Sequence, residues 1–272
     1  MMTSDDASWS PDEVDLAQPS VARVYDFYLG GSHNFASDRA FGREVLEAFP
    51  TLPSVLRDNR EFLRRAVLYL GQQGVDQFLD LGSGIPTVGN VHEVAQAANP
   101  HARIVYVDHD PVAIAHSNAL LQDNPLATAV AGDIREPARV LDTAVATGLI
   151  DLSRPLAVML VSVMHFVPDE ARPIELIDQF MAPTAPGSFL ALSHACDWQA
   201  ELTDVAERYN RADSPGRMRL RSRAEVEALF GGLTIVPPGL ELMPLWRPDL
   251  TGDTSRQVEP DYPGLAGVGR RD

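Results

Sequence analysis

From Val75 onward the sequence alternates short apolar strands with helical stretches, and its first strand, Gln77 to Leu81, runs straight into Gly82-Ser83-Gly84. That alternation is the strongest constraint on the fold. Strands separated by a helix pair in parallel through right-handed crossovers, which predicts an α/β sheet. A second strand, Ile104 to Asp108, ends in Asp108-His109-Asp110. A third, Ala127 to Ala131, precedes Gly132-Asp133-Ile134. A fourth covers Ala157 to Val163 and a fifth Ser188 to Ser193. Helices are expected from about Val88 to Ala98, from Pro111 through Leu120, over Ala138 to Thr147, and over Asp169 to Met181. Ile104 to Val107 and Leu156 to Val163 are continuous apolar runs, the pattern of strands covered on both faces.

The quarter before the sheet is helical. Residues 1–18 are polar and acidic and are expected to form a flexible arm. Ser20 can cap a helix carrying Val21, Val24, Tyr25 and Tyr28, which Gly30-Gly31 stops. Ser37-Asp38 opens a second helix through Phe49, punctuated by Pro50 and Pro53. A third is expected over Asp58 to Leu70, with Phe62, Leu63, Ala66, Val67 and Leu70 as its apolar stripe. Beyond the fifth strand, Trp198 to Ala212 and Ala224 to Phe230 have helical spacing, and Leu233 to Val236 forms a sixth strand. The stretch 246–260 is rich in turn residues, and Gly264 to Gly269 can return as a final antiparallel strand. The domain reading is an arm over 1–18, a helical cap over 19–74 and a sheet domain over 75–272, cap and sheet forming one unit.

Ligands of such sheets bind outside the C-terminal ends of the strands, at the point where strand order reverses. If the sheet is doubly wound, the first two strands flank that point. Gly82 and Gly84 allow a sharp turn and close backbone approach. A dinucleotide fingerprint would need a third glycine where Thr87 stands, and Asp80, two residues before Gly82, would repel a pyrophosphate. A carboxylate there suits a ligand bearing an ammonium and a sulfonium. Asp108 is placed to accept both hydroxyls of a ribose, and Asp133 an adenine amino group, with Ile134 packed on the ring. Ser83, His109 and Gly132 are the loop neighbours of these groups. The combined pattern is that of an S-adenosylmethionine site.

Two arginines could pair with the methionine carboxylate, Arg23 and Arg60; a solvated helix face is the alternative for Arg60. Tyr25 and Tyr28 would roof the site or serve as core. Ser162 ends the fourth strand, where this fold meets the methyl group. His165 just beyond it is the first candidate for a base, since imidazole titrates near neutrality, with a capping role as the alternative. His33 is a second candidate, whereas His92 and His194 read as structural. No Cys/His cluster has metal-ligand spacing.

The stretches Ala22 to Gly31, Asn59-Arg60, Gln77 to Thr87, Asn90 to Ala95, Tyr106 to Pro111 and His165-Phe166-Val167-Pro168 resemble the actinobacterial S-adenosylmethionine-dependent methyltransferase family formerly grouped as a domain of unknown function. The resemblance runs from about Pro19 to the C-terminus. It implies a class I methyltransferase fold: a Rossmann-like, seven-stranded, mostly parallel sheet with an antiparallel last strand and the N-terminal helical cap. It implies S-adenosylmethionine as cofactor and leaves the acceptor open. Two positions depart from the commoner family pattern, Ser32-His33 where Lys-Asp is frequent and His109 where Asn is frequent.

Composition narrows the partners. The formal net charge is -16 and there is no lysine, so every fixed cation is an arginine. A polyanionic nucleic acid is an unfavourable partner for such a chain, and a small-molecule acceptor is expected instead. The single cysteine, Cys196, rules out an internal disulfide and suits a reducing cytoplasm. The longest apolar run, Leu156 to Met164, is too short to span a bilayer. Two other readings remain open from the sequence: a non-catalytic binder of S-adenosylmethionine acting as sensor or partner, and a nicotinamide-dependent oxidoreductase, which Asp80 and the missing third glycine disfavour.

Overall fold

The computed structural model describes residues 15–87, 89–211, 216–252 and 257–272. Most of the arm assigned to 1–18 lies outside the described residues, as do Val88, Ala212 and part of the stretch 246–260.

The strands are β1 Gln77–Leu81, β2 Arg103–Asp108, β3 Ala127–Ala131, β4 Ala157–Val161, β5 Phe189–Ala195, β6 Thr234–Ile235, β7 Glu241–Leu242 and β8 Gly264–Arg270. They form one sheet in the order β3-β2-β1-β4-β5-β8-β6, with the short β7 also paired to β8. β1 to β5 run parallel, and β8 runs antiparallel to β5, β6 and β7. Among the described residues the sheet thus has one strand more than the seven expected. The addition is a two-residue strand, too short to show an alternating pattern in the sequence. The antiparallel closing strand lies where the sequence puts it.

Strand order reverses between β1 and β4, not between the first two strands. After β3 the chain crosses back over β1 and lays β4 on its other edge. Asp80 therefore has Tyr106 of β2 on one side and Met159 of β4 on the other. Ile104 through Val107 are buried and Leu156 through Leu160 are each 0 % exposed, as expected of strands covered on both faces, while Val161 to Val163 at the end of the second run are half-buried.

The helices are α1 Val21–Tyr28, α2 Ala36–Ala48, α3 Leu52–Gln72, α4 Val91–Ala98, α5 Pro111–Leu121, α6 Pro137–Ala146, α7 Pro173–Met181, α8 Ala200–Tyr209 and α9 Arg223–Ala228. α3 starts six residues earlier than its apolar stripe suggests. Pro53 occupies its first turn, where the missing N–H costs nothing, so it opens the helix and does not interrupt the chain. α2 begins at Ala36 because the Asp38 carboxylate accepts the Phe35 N–H at 2.7 Å. The single helix expected over 169–181 is broken at Arg172, whose φ is +50°, into a short 3-10 turn and α7. α5 is capped by Asp110, which accepts the Val112 N–H at 2.8 Å, with Pro111 in the first turn.

α3 contributes to the two larger apolar clusters. Phe62, Leu63, Ala66 and Leu70 pack into the sheet core with Phe78, Val158 and Leu190. Its first turns, with Leu52 and Leu56, join Val24, Tyr28, Val205 and Tyr209 in a second cluster above the strand ends. This second cluster roofs the C-terminal edge of the sheet with α1, α2 and α8.

Candidate active site

The turn after β1 is built by close packing. Gly82 has φ +67°, and a Cβ there would lie 2.4 Å from Cγ2 of Val163. Gly84 has φ +66°, but a Cβ there would meet nothing within 4 Å, so this glycine faces open space. The Gly82 and Ser83 N–H groups donate to the Val107 carbonyl at 2.8 and 3.1 Å, which fixes the turn against β2. The Ser83 hydroxyl is buried with no hydrogen-bond partner.

Asp108 holds the other side of this opening. It is 4 % exposed, accepts the Gly84 N–H on Oδ2 at 2.7 Å, and accepts the Asp110 N–H on Oδ1 at 2.9 Å. Burial raises its pKa, while those two N–H groups and the neighbouring His109 pull it back. His109 is exposed, its Nδ1 lying 3.6 Å from Asp108 Oδ1. Asp80 is 6 % exposed, and burial pushes its carboxyl up to about 7, with Arg60 opposing and Asp108 adding to the rise. Asp80, Arg60, Ser83, Gly84, Asn90 and Tyr106 line an opening of about 290 Å³, part of it open solvent. Arg60 donates to the Gly89 carbonyl at 3.0 Å and reaches Asn90 Oδ1 at 3.4 Å, which places its guanidinium at this opening.

Two expected cofactor contacts have other partners. Arg23 is 4 % exposed; its Nε bonds Asp38 at 2.9 Å, its Nη2 donates to the Gln18 carbonyl at 2.6 Å, and its Nη1 lies 3.7 Å from Asp110. With Ser20, whose hydroxyl also bonds Asp110, it ties α1 to the turn after β2. This corrects the reading of Arg23 as a carboxylate partner for the cofactor. Asp133 is half-buried and both its oxygens accept from the Arg135 guanidinium, with Oδ1 also taking the Arg135 N–H at 2.9 Å. Those bonds hold its pKa below the usual carboxylate range. Gly132 donates its N–H to the Asp108 carbonyl at 2.9 Å, so Asp133 and half-buried Ile134 follow directly from the Asp108 turn.

Beneath α1 lies a second opening of about 640 Å³, part of it open solvent, with walls from α1, α3, α8, the end of β5 and the segment that follows β4. Ser162 leaves β4 with φ +63°, a strained conformation for a non-glycine residue and one that clusters at functional sites. Its N–H donates to Ser193 Oγ at 2.9 Å; the Ser193 hydroxyl donates to Asn59 Oδ1 at 2.6 Å, and Asn59 Nδ2 donates to the Tyr25 hydroxyl at 3.2 Å. Tyr28 lines this opening, its hydroxyl facing Tyr209, and is not among the residues around Asp80. Its place is therefore with the cavity, not the cofactor loop.

His165 lines the same cavity, 6 % exposed, and its Nδ1 has no hydrogen-bond partner. Burial, with His194 and Arg221 adding to it, drives its pKa well below the usual imidazole value. His194 is structural: its Nδ1 donates to the Ala195 carbonyl at 2.6 Å, its Nε2 accepts from Arg221 at 2.9 Å, and burial pushes it down to about 3. His33, the second candidate base, is exposed and lies against His116 of α5, ring centroids 4.0 Å apart and planes tilted by 51°, and it is not among the residues lining the cavity of His165. It lies on the loop after α1, which turns its ring outward onto α5.

Asn59 and Ser193 were not singled out for the site from the sequence. The signal for Asn59 is a polar residue on the apolar stripe of α3, three and four positions before Phe62 and Leu63. For Ser193 it is a hydroxyl at the end of the fully buried run Leu190-Ala191-Leu192.

The features at the β1 and β2 ends fit S-adenosylmethionine. The orphaned Ser83 hydroxyl, the open face of Gly84 and the buried carboxyls of Asp80 and Asp108 form a phosphate-free, cation-tolerant cradle. Comparison with known proteins agrees. A family profile described as S-adenosyl methyltransferase matches residues 7–272. A proposed methyltransferase from Thermobifida fusca is 37 % identical, with 98 % of this chain and 100 % of that chain covered and a TM-score of 0.88. A member of the DUF574 family from Streptomyces avermitilis is 36 % identical, with 95 % and 99 % covered and a TM-score of 0.87. No curated protein matches the chain. The match over nearly the whole length sets aside the dinucleotide reading, and the chain belongs to the S-adenosyl methyltransferase family, with S-adenosylmethionine as its cofactor.

Proposed function

We propose that the chain carries the methyl group of S-adenosylmethionine to a small-molecule acceptor seated in the cavity beneath α1. The observation that carries this reading is the juxtaposition of two openings at one sheet edge. The polar cradle of Asp80, Ser83 and Gly84, with Asp108 bonded to the Gly84 N–H, and the apolar cavity floored by Ser162 and Ser193 both lie at the C-terminal ends of the parallel strands. Asn59, which reaches the cavity, is the chain neighbour of Arg60, which reaches the cradle.

In this reading Asp108 accepts from the ribose hydroxyls, using the lone pairs left after Gly84 and Asp110 are served. Asp80 answers the positive charge of the cofactor, and Arg60 answers its carboxylate. Gly82, Gly132 and His109 shape the turns around these groups, and Asp133 and Ile134 face the adenine once Asp133 shares its bonds with Arg135. Bound S-adenosylmethionine supplies a methyl group activated by its sulfonium. The protein's part is to hold the acceptor in line with it and exclude water, and positioning of this kind is worth up to roughly 7–11 kcal/mol. His165, with its depressed proton affinity, serves as a neutral hydrogen-bonding group for the acceptor.

Among the described residues no helix is long and apolar enough to cross a membrane, and Cys196 is a buried free thiol. A cytoplasmic location is proposed on the second observation. The reading is tested by incubating the protein with S-adenosylmethionine labelled on its methyl group and an actinobacterial metabolite extract. Label in a new low-molecular-weight species is the expected result. Label that stays in the cofactor, or moves only into protein or nucleic acid, would overturn the small-molecule assignment.

A further inference from the structure

The walls of the cavity beneath α1 restrict what it can hold. None of the described residues lining it is Asp, Glu, Arg or Lys. Four aromatic side chains, Tyr25, Tyr28, Phe166 and Tyr209, line it together with aliphatic groups such as Leu56 and Val205. Several of its polar groups are engaged with each other: the Ser162 N–H, Ser193, Asn59 and Tyr25 form one hydrogen-bonded chain.

Among the described residues, two buried polar atoms on these walls have no hydrogen-bond partner, Nδ1 of His165 and the hydroxyl of Tyr28, which faces Tyr209. Arg221, whose charge acts on His165, is 2 % exposed and already donates to the Met164 and Val167 carbonyls, His194 and Asp169. A phosphate, carboxylate or ammonium placed among these walls would be taken from water without a counter-charge, which is strongly unfavourable. A planar apolar ligand would instead meet aromatic faces and edges, and one hydrogen-bonding group on it would satisfy the histidine.

We propose that this cavity takes an uncharged, largely apolar acceptor, of aromatic or similarly flat shape, whose single hydrogen-bonding group pairs with Nδ1 of His165. The proposal deepens the methyl-transfer reading above and rests on it. It excludes free amino acids, nucleotides and other charged metabolites from the acceptor site.

The test uses the full chain saturated with S-adenosylhomocysteine and titrated calorimetrically at pH 7.5. The probes are 2-naphthol, 2-naphthoate, 2-naphthylmethylammonium and naphthalene. Naphthol is expected to bind at least about tenfold more tightly than either charged analogue. Val205→Trp, which fills the cavity, should abolish naphthol binding while the heat of S-adenosylhomocysteine binding persists. His165→Phe should weaken naphthol about tenfold and leave naphthalene unchanged, a split that a merely structural role would not produce. Naphthol that fails to bind, binds no better than the charged probes, or binds Val205→Trp undiminished would overturn the proposal alone. Absence of heat from S-adenosylhomocysteine would overturn the cofactor reading beneath it.

Discussion

Replacing Asp108 by Asn keeps the shape of the side chain and removes its charge. The carboxylate is 4 % exposed, and each oxygen already accepts one backbone N–H, from Gly84 at 2.7 Å and from Asp110 at 2.9 Å. A carboxylate has about four acceptor positions, so two remain for the ribose hydroxyls. A hydrogen bond to a charged group contributes roughly 1.5–3 kcal/mol against roughly 0.5–1.5 kcal/mol for a neutral one. Two such bonds lose about 2–3 kcal/mol in the variant, so S-adenosylhomocysteine should bind about 30- to 150-fold more weakly. The amide NH2 also faces one of the two backbone N–H groups, and an unsatisfied N–H costs roughly 1–3 kcal/mol of stability. Calorimetry well below the melting transition, with a thermal scan as the folding control, separates the two effects. A folded Asp108→Asn protein with undiminished affinity would refute the reasoning.

Asp80 makes stability depend on pH. Burial raises its carboxyl from 3.8 to about 7, so between those values the folded state holds a proton that the unfolded state has released. Stability contributed by the group is present at low pH and is lost as pH rises through about 7, by an amount of at most roughly 4 kcal/mol. The ligand-free Asp80→Asn protein should therefore melt at the wild-type temperature near pH 4 and above it at pH 8; parallel curves throughout would contradict this. In Gly82→Ala the new Cβ lies 2.4 Å from Val163, so loss of stability dominates. Gly84→Ala meets open space and carries mainly the left-handed strain of roughly 1–2 kcal/mol, with loss of cofactor binding as its main effect; thermal scans and calorimetry on the pair should show that contrast. Arg23→Leu leaves Asp38 and Asp110 buried without their cation and should destabilise the protein by roughly 3–5 kcal/mol in denaturant titration. Arg60→Gln should instead weaken S-adenosylmethionine binding about tenfold or more with little change in melting temperature.

The parts of the fold and candidate site legible in the sequence are those set by local pattern. The runs through Phe78 and Val158, the turn at Gly82 and the caps at Asp110 and Pro111 each follow from neighbours within one element. Pro53 misled because a proline opening a helix and one ending it look alike until the following turns are known. Arg23 misled for a different reason: its partners are Asp38, fifteen positions on, and Asp110, on the far side of the sheet's first crossover. The cavity was not legible at all. Its walls come from α1, α3, α8, the end of β5 and the segment that follows β4, and no periodicity in one of these reports a space shared by all. Asp133 shows the remaining limit, since a strand-end acid that serves a ligand and one that bonds Arg135 two residues on have the same sequence.

The most direct test is a crystal structure of the protein with S-adenosylhomocysteine. The account predicts density at the C-terminal ends of β1 and β2, with the ribose hydroxyls on Asp108, the amino acid end between Asp80 and Arg60, and its sulfur turned toward Ser162 and the cavity beneath α1. Density elsewhere on the molecule, or a ribose that makes no contact with Asp108, would contradict it.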